Sequence, residues 1–408
     1  MNDAIIVINA GSSSLKFGIY AALPGDRRSD APSPDHAPWL RGQIEGLDSS
    51  ARFLCTDSAG VEEMITLTSP GADHAVALDF ILDQIALRLP NLRIVGAGHR
   101  VVHGGARFCE PVVVDRGVLD ALHELVPLAP RHQPHGIAAI DALCRSRPDL
   151  IQVACFDTAF HTTQHPLAKR FPLPPALYEA GVRRYGFHGL SYESVASRLP
   201  EWLGETADRR VVVGHLGAGA SLAALRKRRC VATTMGLTPL DGLMMGTRPG
   251  SLDPGVLLHL MREHDYDESR LSQLLHDQSG LLGVSQLSSD MRTLLSSDAP
   301  EAKLAVDLFV YRLVQEVASM VSTLDGIDAL VFTGGVGENA ASIRGRVCRR
   351  LAWLGIDLDV DANGDHGPRI TTPDSRVPAW VVPTNEEAVI ATHTRRHLAA
   401  GSTPSAPR

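Results

Sequence analysis

Apolar runs of strand length recur along the chain at 4–8, 92–95, 151–156, 211–216, 329–333 and 379–382. Between them, residues 135–146, 256–263 and 341–352 carry apolar positions at three- and four-residue steps, the period of an amphipathic helix. The longest such segment is 301–324, where Leu304, Leu308, Val317, Met320, Val321 and Leu324 mark a stripe that ends at Asp325-Gly326. Strands alternating with helices predict an α/β architecture. Residues 24–38, PGDRRSDAPSPDHAP, read as a loop, and Gly401–Arg408 as a disordered tail.

Three of the apolar runs end in turns of small residues. The first, INAGSSSLKF (8–17), is followed by Phe17-Gly18-Ile19-Tyr20, another strand pattern, and lacks the G-x-x-x-x-G-K-[ST] spacing, so it reads as strand, turn, strand and not as a P-loop. Small residues let backbone N–H groups approach an anion, and serine hydroxyls and a lysine add donors. Alone, it reads first as an ordinary serine-rich hairpin. A shift of 207 residues lays INAGSSSL (8–15) over HLGAGASL (215–222), which implies two similar halves, each offering a phosphate-friendly turn. The third turn, Thr333-Gly334-Gly335-Val336-Gly337-Glu338-Asn339, opens a helix without completing a dinucleotide fingerprint.

Composition narrows the partners. The 408 residues suffice for two or three domains, and 44% hydrophobic content describes a globular chain with sizeable cores. Thirty-nine basic against 46 acidic residues leave a net charge of −7, so no basic field recruits nucleic acid or an anionic membrane. The basic run 226–229 reads as a solvated hairpin tip. Six cysteines without C-x-x-C spacing argue against a zinc site and a disulfide framework and fit a reducing cytosol; no leader or membrane-spanning run is expected.

Charged groups lie beside glycines just past strand ends at 98–105, 156–161, 185–189 and 246–250. Ligands of open α/β sheets bind outside the carboxyl ends of strands, which places Arg100 and Asp157 where chemistry is expected. Two arginines in separate glycine-rich loops, Arg100 and Arg248, suit a transferring phosphoryl group, whose spread negative charge forked guanidinium donors stabilise. Near the C-terminus, Thr384 as N-cap and Glu387 at the third helical position would form a capping box, leaving Glu386 for a divalent cation or for solvent.

The stretches NAGSSSLKF (9–17), GHRVVHGG (98–105), FDTAFH (156–161), YGFHGLS (185–191), HLGAGAS (215–221), TTMGLTPLDGLMMGTRPG (233–250), DMR (290–292), FTGGVGEN (332–339) and TNEE (384–387) together closely resemble the acetate kinase family, in the family's order and over almost the whole chain. The resemblance implies two actin-like (ribonuclease H-like) α/β domains, 1–158 with 388–408 and 159–387, and an active site in the interdomain cleft. It implies ATP + acetate ⇌ ADP + acetyl phosphate, with Mg²⁺ or Mn²⁺, in a cytoplasmic homodimer. By position, Asn9 and Glu386 would serve the metal. Lys16, Ser12, Ser14 and His215, Leu216, Gly217, Ala218 and Gly219 would hold the ATP phosphates. Asp290, Met291 and Arg292, with Gly335, Val336, Gly337, Glu338 and Asn339, would line the nucleotide site. Arg100 would bind the carboxylate, Asp157 would be the essential acid, and His188 and Arg248 would stabilise the transition state. Val102, Leu128, Phe187 and Pro239 would surround the acetate methyl.

The chain departs from the family pattern at Ala218, where H-L-G-N-G-A-S has Asn; at Leu190 and Tyr192, where F-H-G-T-S-H has Thr and His; at Gln133, where L-H-N-P has Asn; and at Pro249. Catalysis is expected to survive with altered nucleotide affinity. An ionised carboxylate acceptor needs no general base, so Asp157 reads as an orienting or metal-water ligand. Propionate kinase is the nearest alternative, since one methylene changes specificity by only about 1–3 kcal/mol. A sugar kinase using Asp157 as base, or a non-catalytic nucleotide-dependent switch or actin-like assembly module, are the others.

Overall fold

Runs such as Ile5-Ile6-Val7-Ile8 and Val211-Val212-Val213 are apolar at every position because their sheets are covered on both faces, and all seven side chains are buried. The computed structural model describes residues 2–11, 13–22, 37–47, 50–67 and 74–401. Ser12, most of the expected 24–38 loop and the tail from Ser402 lie outside the described residues. The chain divides into two compact units, Met1–Ala159 with Asn385–Arg408, and Phe160–Thr384. These divisions fall one residue after and three residues before the expected boundaries, so Glu386 belongs to unit 1.

Unit 1 holds an eight-stranded sheet, ordered β5-β4-β3-β2-β1-β6-β8-β7. Its strands are β1 (Asn2–Ala10), β2 (Ser14–Ala21), β3 (Leu40–Glu45), β4 (Arg52–Asp57), β5 (Glu62–Thr66), β6 (Leu92–Val101), β7 (Val112–Val113) and β8 (Ile151–Phe156). β1 to β5 form an antiparallel meander, whereas β6 and β8 run parallel to β1. Alternate β1 residues Ala4, Ile6 and Ile8 pack with Leu78, Ile81 and Ile85 of the helix His74–Arg88. A second cluster joins Val101 and Phe156 to Leu122, Ile137 and Ile140.

Unit 2 repeats that scheme with fewer strands, ordered β11-β10-β9-β12-β13: β9 (Arg210–Leu216), β10 (Ala220–Arg226), β11 (Arg229–Thr233), β12 (Ala329–Thr333) and β13 (Ala379–Val381). β9 to β11 are antiparallel, and β12 and β13 run parallel to β9. The order 3-2-1-6-8 in unit 1 thus matches 11-10-9-12-13 in unit 2, which gives the 207-residue echo a structural basis. The basic run is the exposed tip between β10 and β11, with Lys227 and Arg228 both at positive φ as a two-residue type I′ turn requires.

The helix Pro300–Thr323 corrects one expectation. Its buried stripe is Ala302, Val306, Phe309, Leu313, Val317 and Met320; Leu304 and Leu308 face outward. Leucine spacing alone misjudged the face because alanines contribute to the true stripe. No described helix is long and apolar enough to cross a membrane, and all six cysteines are free.

Candidate active site

In unit 1 the β1–β2 hairpin closes through Gly11, whose N–H donates to the Ser14 carbonyl at 2.8 Å. The register pairs Asn9 with Lys16, so the two side chains share one face of the ladder. β6 brings Arg100 to its C-terminal end, and the neighbouring end of β8 delivers Asp157, whose N–H donates to the Val101 carbonyl at 3.0 Å. Arg100 donates to Asp157 from Nη2 at 2.6 Å and from Nε at 3.1 and 3.2 Å, and from Nη1 to Asn9 Oδ1 at 3.3 Å. Glu386 Oε2 lies 3.9 Å from Arg100 Nε. Asp157 is 1% exposed and Arg100 25%, so the pair is largely shielded from water. Burial works against the guanidinium charge, but the Asp157 and Glu386 carboxylates outweigh it and hold Arg100 above its ordinary pKa.

Glu386 begins the last helix, Glu386–Gly401. Its cap is Asn385, whose Oδ1 accepts from the Ala388 N–H at 3.0 Å. Thr384 is therefore not the N-cap expected from the sequence; its hydroxyl donates instead to the Ser191 carbonyl at 3.4 Å. Apart from the distant Arg100 contact, the Glu386 carboxylate has no partner among the described residues. Asn9, Asp157 and Glu386 offer only hard oxygen donors, the set Mg²⁺ prefers. No group of three or more His, Cys, Asp or Glu among the described residues could hold a metal ion by itself.

In unit 2 the β9–β10 hairpin closes over Gly217-Ala218-Gly219, with Gly217 N–H donating to the Gly219 carbonyl at 3.0 Å. The loop 233–250 is fastened to this turn by the Gly246 N–H, which donates to the Ala218 carbonyl at 3.1 Å. That bond brings Arg248 against the turn: a Cβ at Gly219 would lie 2.7 Å from Arg248 Nη2 and 3.0 Å from His188 Nε2, so a larger residue would displace the guanidinium. Arg248 Nη1 donates to the Pro239 carbonyl at 2.7 Å, and the guanidinium has no carboxylate partner among the described residues. Burial lowers its pKa to about 10, so it remains a desolvated cation at neutral pH.

His188 completes this cluster. It precedes the helix Gly189–Leu203 with φ 58°, a left-handed conformation uncommon outside glycine and frequent at functional positions. Its neighbours hold it there. The buried His161 shares a 2.8 Å hydrogen bond between Nε2 and the Phe187 carbonyl, and burial depresses the His161 pKa to about 4, so its neutral ring donates. His188 Nδ1 lies 2.9 Å from Ser221 Oγ, which is 2.7 Å from the Tyr192 hydroxyl. The His215 ring stacks on His188 at 4.3 Å and meets Ser191 Oγ at 2.7 Å.

The other sequence candidates divide by role. Lys16 is exposed, Ser14 half-buried and Leu216 buried. Ala218 is exposed on its turn. Gly334, at φ 77°, lets the helix Gly334–Asn339 start against β9, where a Cβ would meet the Leu216 carbonyl at 2.8 Å. Above Gly335 there is open space. The Glu338 carboxylate is committed to the Gly334 and Thr384 N–H groups and the Thr333 hydroxyl, and Asn339 donates to the Gly335 carbonyl; Val336 is half-buried and Gly337 buried. Asp290 caps the helix Met291–Leu295 and pairs with Arg292, whereas Met291 is buried in the core. Val102 and Leu128 are half-buried in unit 1; Phe187 and Pro239 are buried in unit 2.

Sequence reasoning missed Ser221, Ser191 and His161, and marked Tyr192 and Gln133 only as departures from the family pattern; Gln133 exchanges hydrogen bonds with both backbone groups of His103 at 3.1 and 3.0 Å. It missed Arg344, a fully buried arginine that donates to the carbonyls of Gly337 and Glu338. The β9–β10 register, His215 opposite Ser221, is the signal that links Ser221 to the site.

A profile of the acetokinase family matches residues 4–392. An acetate kinase of Rhodopseudomonas palustris is 50% identical over 97% of this chain and 98% of its own length, and an acetate kinase of Rickettsia prowazekii is 39% identical over 98% of the chain and the whole of its own. Among solved structures, a propionate kinase from Francisella tularensis has a TM-score of 0.88 at 32% identity, covering 97% of this chain and 99% of its own. Porphyromonas gingivalis acetate kinase has a TM-score of 0.85 at 35% identity, covering 97% and 100%. The strand order repeated in the two units is that of two actin-like α/β domains, as in these enzymes. With the family profile and these relatives matching over nearly its full length and the strand order in agreement, the chain belongs to the acetokinase family.

Proposed function

We propose that this protein transfers the γ-phosphoryl group of ATP to acetate, reversibly, giving ADP and acetyl phosphate. The observation that carries the reading is Arg248, a desolvated guanidinium without a carboxylate partner among the described residues, held beside the 217–219 turn and His188. Acetate, with a pKa near about 4, arrives ionised, so the barrier is repulsion between two anions and not proton removal. Cationic groups that meet the charge of the transferring group lower that barrier. Arg248 and the Nε2 edge of His188 take this role.

Unit 1 supplies the acceptor side. Arg100 binds the acetate carboxylate, and Asp157 orients its guanidinium, a role supported by the three hydrogen bonds between them. Asn9 and Glu386 would hold Mg²⁺, or Mn²⁺, whose charge offsets that of the ATP phosphates. Lys16, Ser12 and Ser14 with residues 215–219 hold the phosphates; residues 290–292 and 335–339 line the nucleotide site, supported by the open space above Gly335. The sizes of Val102, Leu128, Phe187 and Pro239 set the preference among short acyl chains.

We also place the protein in the cytoplasm as a homodimer. The free cysteines support the first. The second is supported by the helices Pro254–Glu263 and Glu268–Asp277, which bury no residue within the chain, and by exposed Val256, Met261, Leu304 and Leu308. Sedimentation of the purified protein at twice the chain mass is the expected result. For the reaction, kcat/KM for acetate, propionate and butyrate, read by hydroxylamine trapping of the acyl phosphate, should be highest for acetate; a propionate preference would reassign the substrate, and no trapped product would overturn the reading.

A further inference from the structure

Where the family pattern F-H-G-T-S-H ends in histidine, this chain has Tyr192, fully buried on the helix Gly189–Leu203. Its hydroxyl carries one hydrogen and lies 2.7 Å from Ser221 Oγ, itself fully buried. Burial raises the phenol well above its ordinary pKa, against the opposing pull of Ser221 and the His215 backbone amide, so the hydrogen stays on. A buried O–H needs an acceptor, and Ser221 Oγ provides it. Once Ser221 accepts from Tyr192, its own hydrogen is free to turn onward to His188 Nδ1, 2.9 Å away. A neutral imidazole that accepts at Nδ1 carries its proton on Nε2. That nitrogen and Arg248 Nη2 lie 3.0 and 2.7 Å from one point, the Cβ position that Gly219 leaves empty.

We propose that Tyr192 is a positioning residue for phosphoryl transfer: through Ser221 it fixes His188 in the tautomer whose Nε2–H joins Arg248 as a second donor to the transferring group. The assignment to that group rests on the function proposed above; the tautomer does not. With the opposite tautomer, Nδ1–H would donate into a hydroxyl already receiving from Tyr192, and the Ser221 hydrogen would lose its acceptor. An unmade buried hydrogen bond of this kind biases the two tautomers by roughly tenfold or more.

The test uses the full chain as Tyr192→Phe, Ser221→Ala and the double variant. Phenylalanine keeps the ring packed against Phe160 and His161, and the thermal midpoint checks the fold. Each single variant should lower kcat about tenfold, with KM for acetate within about twofold, and the double should be no worse than the poorer single because both act through one route. Nitrogen-15 spectra of the native protein without nucleotide should show His188 Nδ1 unprotonated and Nε2 protonated, and Tyr192→Phe should move both toward averaged positions. Multiplicative losses in the double variant, or a His188 spectrum unchanged by Tyr192→Phe, would overturn the proposal. Absence of turnover in the native protein would instead strike at the acetate reaction, leaving the tautomer to be read from the spectra.

Discussion

The hairpins β1–β2 and β9–β10 are one device used twice: each is the first hairpin of its sheet, closes on a turn of small residues and is flanked by a parallel strand. Their electrostatic surroundings differ. In unit 1, Arg100 is surrounded by oxygens of Asn9, Asp157 and Glu386. In unit 2, Arg248 donates to the Pro239 carbonyl and lies beside Gly219 and His188, with no carboxylate partner among the described residues. A repeated scaffold thus carries a compensated cation, fixed in place before any ligand arrives, and an uncompensated one whose counter-charge must come from outside. The first suits holding and orienting an acceptor; the second suits charge that develops during transfer.

The contrast has a direct consequence for stability. Arg100→Ala should leave Asp157 buried without its partner and cost about 3–5 kcal/mol in denaturant unfolding, whereas Arg248→Ala removes a desolvated charge and should cost less than about 1 kcal/mol. Equal losses would break the comparison.

A second consequence follows from the buried histidines. Burial lowers the pKa values of His99, His103 and His161 to about 4, below the ordinary 6.5. Between those limits the unfolded chain binds more protons, so stability is fully present above pH 6.5 and is lost as pH falls toward 4. The thermal midpoint should fall through that window, and His99→Gln should make the fall shallower; an unchanged slope would mean that His99 does not contribute.

The smallest effect concerns the departure at Ala218. Its methyl is exposed, so Ala218→Asn should be accommodated and lower the nucleotide KM severalfold, about 1 kcal/mol for one added hydrogen bond, with kcat within twofold. An unchanged KM would remove Ala218 from the nucleotide site.

How much of this was legible beforehand follows the physics of each signal. Strands buried on both faces, such as 151–156 and 329–333, announce themselves as apolar runs and recur at those bounds. The meander β3 to β5 does not, because its strands alternate or, as in Glu62–Thr66, stay largely exposed. Charged residues at strand ends were readable because glycine marks the places where backbone comes close. Ser221, Tyr192 and His161 were not, since each acts through a hydrogen bond to a residue more than 25 positions away in sequence, as in His161 to Phe187, and only the folded register brings them together. The Asn385 cap, rather than Thr384, turns on a single backbone step that two adjacent capping residues leave open.

The central claim, that Arg248 is reserved for the transferring phosphoryl group, is tested most directly by measuring ATP binding and single-turnover acetyl phosphate formation in Arg248→Ala beside the native protein. The account predicts ATP affinity within a few-fold of native and a rate lower by on the order of 10³ or more; a rate loss below tenfold, or a loss confined to ATP affinity, would contradict it.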